Sequence, residues 1–349
     1  MTDQTSKVIS ALRFPLAVLV IACHSNFLGQ TQGLGTYMQL FFCEIVPHVA
    51  VPLFMLFSGM LFFRKGMPTS EEYGRQLLKR VRTLLVPYLL WSTISFVVMA
   101  CRGEVTFTFL HWLQGLWDTS LWTGRFAIDI PGYPVNMPLW FIRDLMVLVL
   151  LAYPIGLLLV KTRGWALLLL AVWWFPGHEK FFGFGADSLF YFFAGAWISL
   201  KNVDILGWLR KVRVPSYVFA TVMLAVDTVI TFRLWDQTGE LGFRWIPFNV
   251  FVVSMMAATL NIASSLVDRG CDTGLRRLAG TTFFLYASHW VFLPSLQEAL
   301  LRALAPVSIV GSIALFWAFL AGYIVLLLSA WQLLRRFAPR ALSFMTGGR

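Results

Sequence analysis

Two ionisable side chains stand in the first apolar stretch of the chain, Arg13 and His24. They are 11 residues apart, close to three turns of an α-helix, so both point along one helix face with Cα atoms roughly 16 Å apart. An ionisable side chain within a membrane span is costly and indicates function by default. A structural alternative stays open, in which Arg13 extends to the membrane interface and His24 caps the helix end.

A second membrane histidine, His289, follows Tyr286 at the i, i+3 spacing that makes side chains neighbours on a helix face. This pair is predicted either to serve the site of His24 or to join helices through hydrogen bonds. A further charged couple, Arg143 and Asp144, is expected to neutralise charge between helices, and no role in the chemistry is assigned to it.

A basic cluster, Lys79, Arg80 and Arg82, precedes the third apolar stretch. Guanidinium groups bind phosphate in a bidentate way, so a cytosolic polyphosphate ligand would suit the cluster. Basic residues at a membrane boundary also have a purely topological role, and both interpretations stay open.

The composition identifies the surroundings in which these residues work. Of 349 residues, 58% are hydrophobic and only 13% are charged, and the mean hydropathy is +0.72. Soluble chains carry about 25% charged residues, so we expect a polytopic membrane protein of the all-α class. The net charge of +11 is interpreted as topology, and no nucleic acid is expected as a partner.

About ten transmembrane helices are predicted from apolar windows of the length that a bilayer requires. Of the 28 basic residues, 20 fall in segments on the side of the N-terminus, six on the other side and two within spans. This imbalance favours a protein with both termini inside the cell. The windows are 8–28, 47–63, 83–101, 138–160, 164–177, 186–200, 214–232, 245–266, 281–300 and 307–334.

The longest loop, 102–137, is predicted to be external and to lie on the membrane surface, because it contains Trp112, Trp117 and Trp122. The four cysteines have no metal-binding spacing. Cys43 and Cys101 would both face outward and could pair, although unpaired thiols are the favoured interpretation.

Five stretches, in register with the predicted helices, resemble the acyltransferase 3 family of integral membrane acyltransferases along almost the whole chain. The first is the Arg13-x10-His24 pair. The others are Val51 to Leu61, Lys79 to Tyr88, Pro138 to Phe141 and Phe283 to His289.

The resemblance implies transfer of an acyl group, commonly acetyl from acetyl-CoA, to a hydroxyl of an extracytoplasmic glycan. Arg13 with Lys79, Arg80 and Arg82 would then bind the CoA phosphates. His24 would act as general base or carry the acyl group itself, and His289 and Tyr286 would orient His24 or stabilise the oxyanion. Residues 1–349 are expected to form a single membrane acyltransferase domain without a soluble accessory domain, in a bacterial-type inner membrane.

The residues leave several alternatives open. Acetyl or succinyl could be the group moved, and the acceptor could be exopolysaccharide, a lipid-linked sugar, lipopolysaccharide or peptidoglycan. No permanently bound cofactor or metal is expected. A transporter or flippase, in which the membrane charges form a substrate path, is the alternative from another class.

Overall fold

The computed structural model describes most of the chain: residues 2–25, 33–121, 132–177, 180–181, 184–238, 245–304 and 308–348. Apart from one antiparallel pair of short strands, β1 (Lys180–Phe181) and β2 (Phe184–Gly185), the regular structure of this part is helical. Trp122 and the ends of two predicted spans, residues 26–28 and 307, lie outside the described residues.

The first half of the fold contains α-helices that are interrupted by short segments of 3₁₀-helix and π-helix, which have fewer and more residues per turn. Residues Leu40–Ile45 and Val81–Leu85 form π-helix, and Val46–Val49 and Met137–Leu139 form 3₁₀-helix. The α-helices are α1 (Asp3–His24), α2 (Leu34–Gln39), α3 (Ala50–Phe62), α4 (Ser70–Arg80), α5 (Val86–Cys101), α6 (Phe109–Gly115), α7 (Trp140–Leu150) and α8 (Ala152–Lys161).

The second half contains the longest uninterrupted helices. They begin after Asp204, which caps a short helix through its carboxylate. The helices of this half are α9 (Trp165–Trp174), α10 (Ala186–Leu200), α11 (Ile205–Lys211), α12 (Arg213–Thr238), α13 (Trp245–Asp268), α14 (Thr273–Leu278), α15 (Thr282–Leu304), α16 (Ile309–Phe337) and α17 (Pro339–Thr346).

Six helical segments of the described chain are long and apolar enough to cross a membrane, or up to eight if each of two bent pairs counts as one span. The predicted number of ten is therefore not confirmed. The bent pairs are α7 with α8, at 61°, and α10 with α11, at 99°. The six segments are Asp3–His24, Leu34–Phe62, Ser70–Cys101, Arg213–Thr238, Trp245–Asp268 and Ile309–Phe337.

The two remaining predicted windows fall short for different physical reasons. α9 has 10 residues, about half of what a bilayer core of about 30 Å requires. α15 is long enough, but polar residues such as Ser288, His289 and Gln297 lower its hydropathy. Most of its N-terminal half is buried in the protein, which explains why it can carry Ser288 and His289.

The helices α3 and α10 pack closely through two glycines. A Cβ atom on Gly195 would overlap the carbonyl oxygen of Leu56, and one on Gly59 would overlap that of Phe192. Small residues that let two backbones approach in this way are typical of helix packing in membranes. This contact fixes α10, which carries one wall of the site described below.

α1 runs through the middle of the bundle and packs on α3, α13, α14 and α15. At its N-terminal end, Gln4 Nε2 donates to Asp268 Oδ1 (2.7 Å) at the end of α13. Arg210 holds the same carboxylate through Nη2, at 2.9 and 3.0 Å. The N-terminus of α1 and the C-terminus of α13 thus lie on one side of the bundle, as the alternating spans require; that this side is cytosolic stays a prediction.

The described part of the segment 102–137 exposes phenylalanine and leucine more than tryptophan. Phe109, Leu110 and Leu113 of α6 are exposed. Trp112 instead turns inward and donates its indole N–H to Thr93 Oγ1 (3.0 Å). Trp117 is exposed as well, so an apolar surface suited to a membrane interface is present and contains one of the predicted tryptophans beside phenylalanine and leucine. None of the four cysteines, all of which lie in the described part of the chain, forms a disulfide, so Cys43 and Cys101 are not paired with each other.

Candidate functional site

The two membrane histidines, far apart in the sequence, meet in space. His24 is the last residue of α1 and His289 lies in the buried half of α15. Their rings stack with centroids 5.5 Å apart and planes inclined by 25°. Trp290 packs edge-on against His24 at 5.2 Å. The sequence singled out both histidines, and the fold brings them together.

His289 is held in one orientation. It is fully buried, and its Nδ1 lies 2.8 Å from the Tyr286 carbonyl and 3.2 Å from that of Leu285. Because both neighbours are acceptors, this network assigns the proton of the neutral ring to Nδ1. Nε2 then carries the lone pair, and it has no hydrogen-bond partner among the described residues. The Tyr323 hydroxyl donates to the His289 carbonyl (2.6 Å) and fixes the backbone there.

Tyr286 lies between two cavities and lines both of them. Its hydroxyl donates to the carbonyl oxygen of Pro138, at the rim of one cavity. Its ring packs edge-on against Phe141, which lines the other, with centroids 5.9 Å apart. The ring and its hydrogen bond therefore form part of the wall that separates the cavities.

The first cavity, here called the outer cavity, has a volume of about 750 Å³ and is lined by His24 and Tyr286. Glu44, His48 and Asp187 also line it. The Asp187 carboxylate accepts a hydrogen bond from the Trp174 indole. Aromatic side chains form much of the remaining wall: Tyr133, Trp140, Tyr191, Trp245 and Phe248.

The sequence reasoning missed Glu44, His48 and Asp187. A signal was available for Glu44 and His48, since both are ionisable and four residues apart at the start of the second predicted window, 47–63: His48 lies within the window and Glu44 lies three residues before it. Glu44 lies in a π-helical segment and His48 in the 3₁₀-helical segment that follows it, so α-helical spacing does not predict that both side chains point into the same cavity. Asp187 lies in the first turn of α10, where acidic residues are common, so its position gave no sign of a functional role.

The second cavity, here called the inner cavity, has a volume of about 470 Å³ and contains two guanidinium groups, those of Arg13 and Arg80. Ser58 and Thr282 line it as well. Phenylalanine, leucine, isoleucine and valine side chains make up most of the rest of its wall. The inner cavity thus joins a cationic region to an apolar one.

Arg13 and Arg80 make no ion pair or hydrogen bond with any described residue. The Thr282 hydroxyl is buried and lacks a hydrogen-bond partner within the same part of the chain. Lys79 and Arg82, predicted to join them, are exposed and do not line the cavity. Of the predicted basic cluster, Arg80 alone therefore lines the inner cavity together with Arg13. Two unpaired guanidinium groups at one cavity are suited to binding an anion.

The sequence couple Arg143–Asp144 forms a buried ion pair, with exposed side-chain fractions of 2% and 0%. Arg143 Nη2 and Nε lie 2.9 and 3.2 Å from Asp144 Oδ1. The expectation of charge neutralisation fits this geometry. The pair also holds backbone groups of the outer cavity, a point developed below.

The arrangement therefore consists of two cavities along one helix. Arg13 of α1 faces the inner cavity, and His24, three turns further along α1, faces the outer cavity. No group of three or more metal-ligating residues occurs within the described ranges. A multi-pass helical membrane protein with one cavity lined by two arginines and another lined by histidines is the class that this fold and this site define.

Residues 7–335 match the family model described as "Acyltransferase domain", and the chain belongs to this acyltransferase family. It is 30% identical over 336 residues to the "Succinoglycan biosynthesis protein ExoH" of Rhizobium meliloti (strain 1021), covering 93% of this chain and 85% of that protein. The family resemblance inferred from the sequence is thereby confirmed.

A more distant similarity is to the "Probable poly-beta-1,6-N-acetyl-D-glucosamine export protein" of Staphylococcus aureus (strain MRSA252). It is 22% identical over 288 residues, covering 78% of this chain and 75% of that protein. No solved structure matches the chain.

Proposed function

We propose that this acyltransferase moves an acyl group from acyl-CoA to a hydroxyl of a cell-surface or lipid-linked glycan, in a bacterial inner membrane. The observation that carries the proposal is the pair of cavities on the two sides of Tyr286. Arg13 and Arg80, which have no ion-pair partner among the described residues, line one cavity, and His24 lines the other. A donor made in the cytosol and an acceptor outside the cell would require such an arrangement.

In this proposal the donor enters the inner cavity. Arg13 and Arg80 bind phosphate oxygens of CoA through charge-assisted hydrogen bonds. The apolar wall takes the pantetheine arm, which passes Tyr286 to bring its thioester to His24. Lys79 and Arg82, exposed beside the cavity, attract the polyphosphate from a distance without holding it.

The chemistry takes place at the imidazole of His24. In one route, His24 removes the proton of the acceptor hydroxyl while the oxygen attacks the thioester carbonyl. The C–S bond breaks, and the CoA thiolate leaves and takes up the proton. In the other route, a His24 nitrogen attacks the carbonyl first and the CoA thiolate leaves. The acceptor oxygen then attacks the acyl-imidazole, the C–N bond breaks, and the hydroxyl proton is taken up by the thiolate.

His289 supports both routes as the stacked neighbour of His24. Its orientation is fixed by the backbone carbonyls that hold Nδ1, and its free Nε2 can accept a proton or a hydrogen bond in the site. Tyr286 is proposed to position the thioester at the passage between the cavities. As long as its hydroxyl stays on the Pro138 carbonyl, it is not available to stabilise an oxyanion.

The outer cavity is proposed to take the acceptor glycan. Sugar rings present apolar faces that stack on aromatic side chains, and their hydroxyls donate to carboxylates such as Glu44 and Asp187, which line this cavity. A role in polysaccharide biosynthesis also fits the name of the relative from Rhizobium meliloti. Acetyl is the proposed acyl group, and succinyl is the alternative.

A second candidate function is transport, favoured by one observation: the relatives from Staphylococcus aureus are named export proteins. Both functions need a path through the membrane, but only an acyltransferase forms an ester.

The test uses membranes that contain the protein, radiolabelled acetyl-CoA or succinyl-CoA, and polysaccharide from cells that lack the protein. We expect label in alkali-labile esters of the polysaccharide. Polysaccharide that stays unlabelled with both donors, together with loss of glycan export when the protein is removed from intact cells, would replace this function by transport.

A further inference from the structure

The buried pair Arg143–Asp144 contacts two separate segments of the outer cavity. Arg143 Nη1 donates to the carbonyl oxygens of Trp117 (2.7 Å) and Gly132 (3.0 Å). The guanidinium carbon also lies 4.8 Å from the centre of the Trp117 ring. One side chain thus joins two points of the external segment that precedes α7.

These contacts fix the part of the wall that Tyr133 provides. Tyr133 follows Gly132 directly, and both residues line the outer cavity. The Tyr133 carbonyl accepts from the Thr119 backbone N–H (2.9 Å). Arg143 and the Thr119 bond therefore hold Tyr133 from two sides, and an arginine is needed because only its planar fork reaches several acceptors at once.

Asp144 holds the opposite wall. Its Oδ2 accepts from Ser188 Oγ (2.9 Å) and lies 3.4 Å from the backbone nitrogen of Gly185. Gly185 and Ser188 flank Asp187 at the start of α10, and all three line the outer cavity. Asp144 therefore helps to position Asp187, whose carboxylate lines the cavity.

We propose that Arg143 and Asp144 are positioning residues that set the distance between the Tyr133 and Asp187 walls of the outer cavity, and with it the affinity for the acceptor. The inference rests on the proposed function, because it takes the acceptor to bind in this cavity. Neither Arg143 nor Asp144 lines the inner cavity, so we expect substitutions of the pair to leave donor binding unchanged.

The experiment measures initial rates with radiolabelled acetyl-CoA and with polysaccharide from cells that lack the protein, varied one at a time, in purified protein in lipid nanodiscs. Arg143→Lys keeps the charge but loses the fork. We expect its KM for the polysaccharide to rise about tenfold, the effect of one lost charge-assisted hydrogen bond, while CoA affinity stays at the parental value.

Two further variants keep the result interpretable. Ser188→Ala removes one bond to Asp144 and creates no buried charge, so it decides the question if Arg143→Lys does not fold; a smaller rise in the same KM is expected. Arg210→Lys disrupts a similar arginine fork, on Asp268, away from both cavities, and should leave the acceptor KM unchanged.

The inference is overturned if Ser188→Ala and a folded Arg143→Lys keep the parental acceptor KM. It is also overturned if their CoA affinity falls in parallel, or if Arg210→Lys raises the acceptor KM equally. Failure of the proposed function has a different signature: the parent protein itself then transfers no label to polysaccharide.

Discussion

Replacing Arg80 by alanine should weaken CoA binding far more than replacing its neighbours on the same helix. Arg80 lines the inner cavity with Arg13, and neither guanidinium group has a carboxylate partner within the described ranges. Arg75, five residues earlier on α4, is exposed and paired with Glu71 (3.2 Å). Arg75→Ala is therefore a control with the same helix, the same charge change and no access to the cavity.

The magnitude follows from the number of bonds lost. A hydrogen bond to a charged group contributes about 1.5–3 kcal/mol, which corresponds to about a tenfold to hundredfold change in Kd. We expect a loss in this range for Arg80→Ala. Arg13→Lys keeps the charge but loses the bidentate geometry, so its loss should be smaller than that of Arg13→Ala. If both arginines hold the same phosphates, the double alanine variant should lose less than the sum of the two.

The assay is calorimetric titration of the purified protein in nanodiscs with CoA, at low and high salt. Arg82→Ala should have a small effect that salt abolishes, because an exposed charge acts over a distance that ions screen. Arg75→Ala should bind as the parent does. Equal affinities of the parent, Arg80→Ala and Arg13→Ala would refute the assignment of the inner cavity to the donor and return these arginines to a topological role.

Three further predictions concern the packing and the two aromatic neighbours of the site. Gly195→Ala should lower the free energy of unfolding by about 1–3 kcal/mol, measured in a thermal melt, because overpacking strains the α3–α10 contact. Gly322→Ala, which has open space around it, should leave the melt unchanged, and equal melting temperatures of the two variants would contradict this packing. Tyr286→Phe, which loses only the hydrogen bond to the Pro138 carbonyl, should lower the transfer rate and raise acyl-CoA hydrolysis without weakening CoA binding. A parental ratio of transfer to hydrolysis would show that this hydrogen bond does not maintain the wall between the two cavities. His289→Ala should reduce transfer less than His24→Ala does, measured as label in polysaccharide, and a larger loss would make His289 the principal base.

The sequence predicted the direction of Arg13 and His24 because a single uninterrupted α-helix carries both. It could not predict which basic residue of the cluster joins Arg13. Arg80 ends α4, and the π-helix Val81–Leu85 that follows has a different number of residues per turn. The direction of Arg82 is therefore displaced from what an α-helical pattern gives.

Contacts between segments that are distant in the sequence could not be predicted, for another reason. His289 and Tyr286 were recognised as polar residues on one helix face, but the stacking of His289 on His24 depends on how α15 packs against α1. Ten spans are not confirmed because α9 is short and α15 carries polar residues, and hydropathy windows also do not register the bends between α7 and α8 and between α10 and α11. Apolar length predicted where helices lie, but not which of them cross the membrane alone.

The central claim is that an acyl group held at the inner cavity is transferred at His24. The most direct measurement compares the parent with His24→Ala in one preparation, recording CoA affinity and the rate at which label from acetyl-CoA enters polysaccharide. Loss of a general base lowers rates by about 10²–10⁴, so we predict transfer reduced at least that far with CoA affinity unchanged. Transfer by His24→Ala at the parental rate would contradict the account.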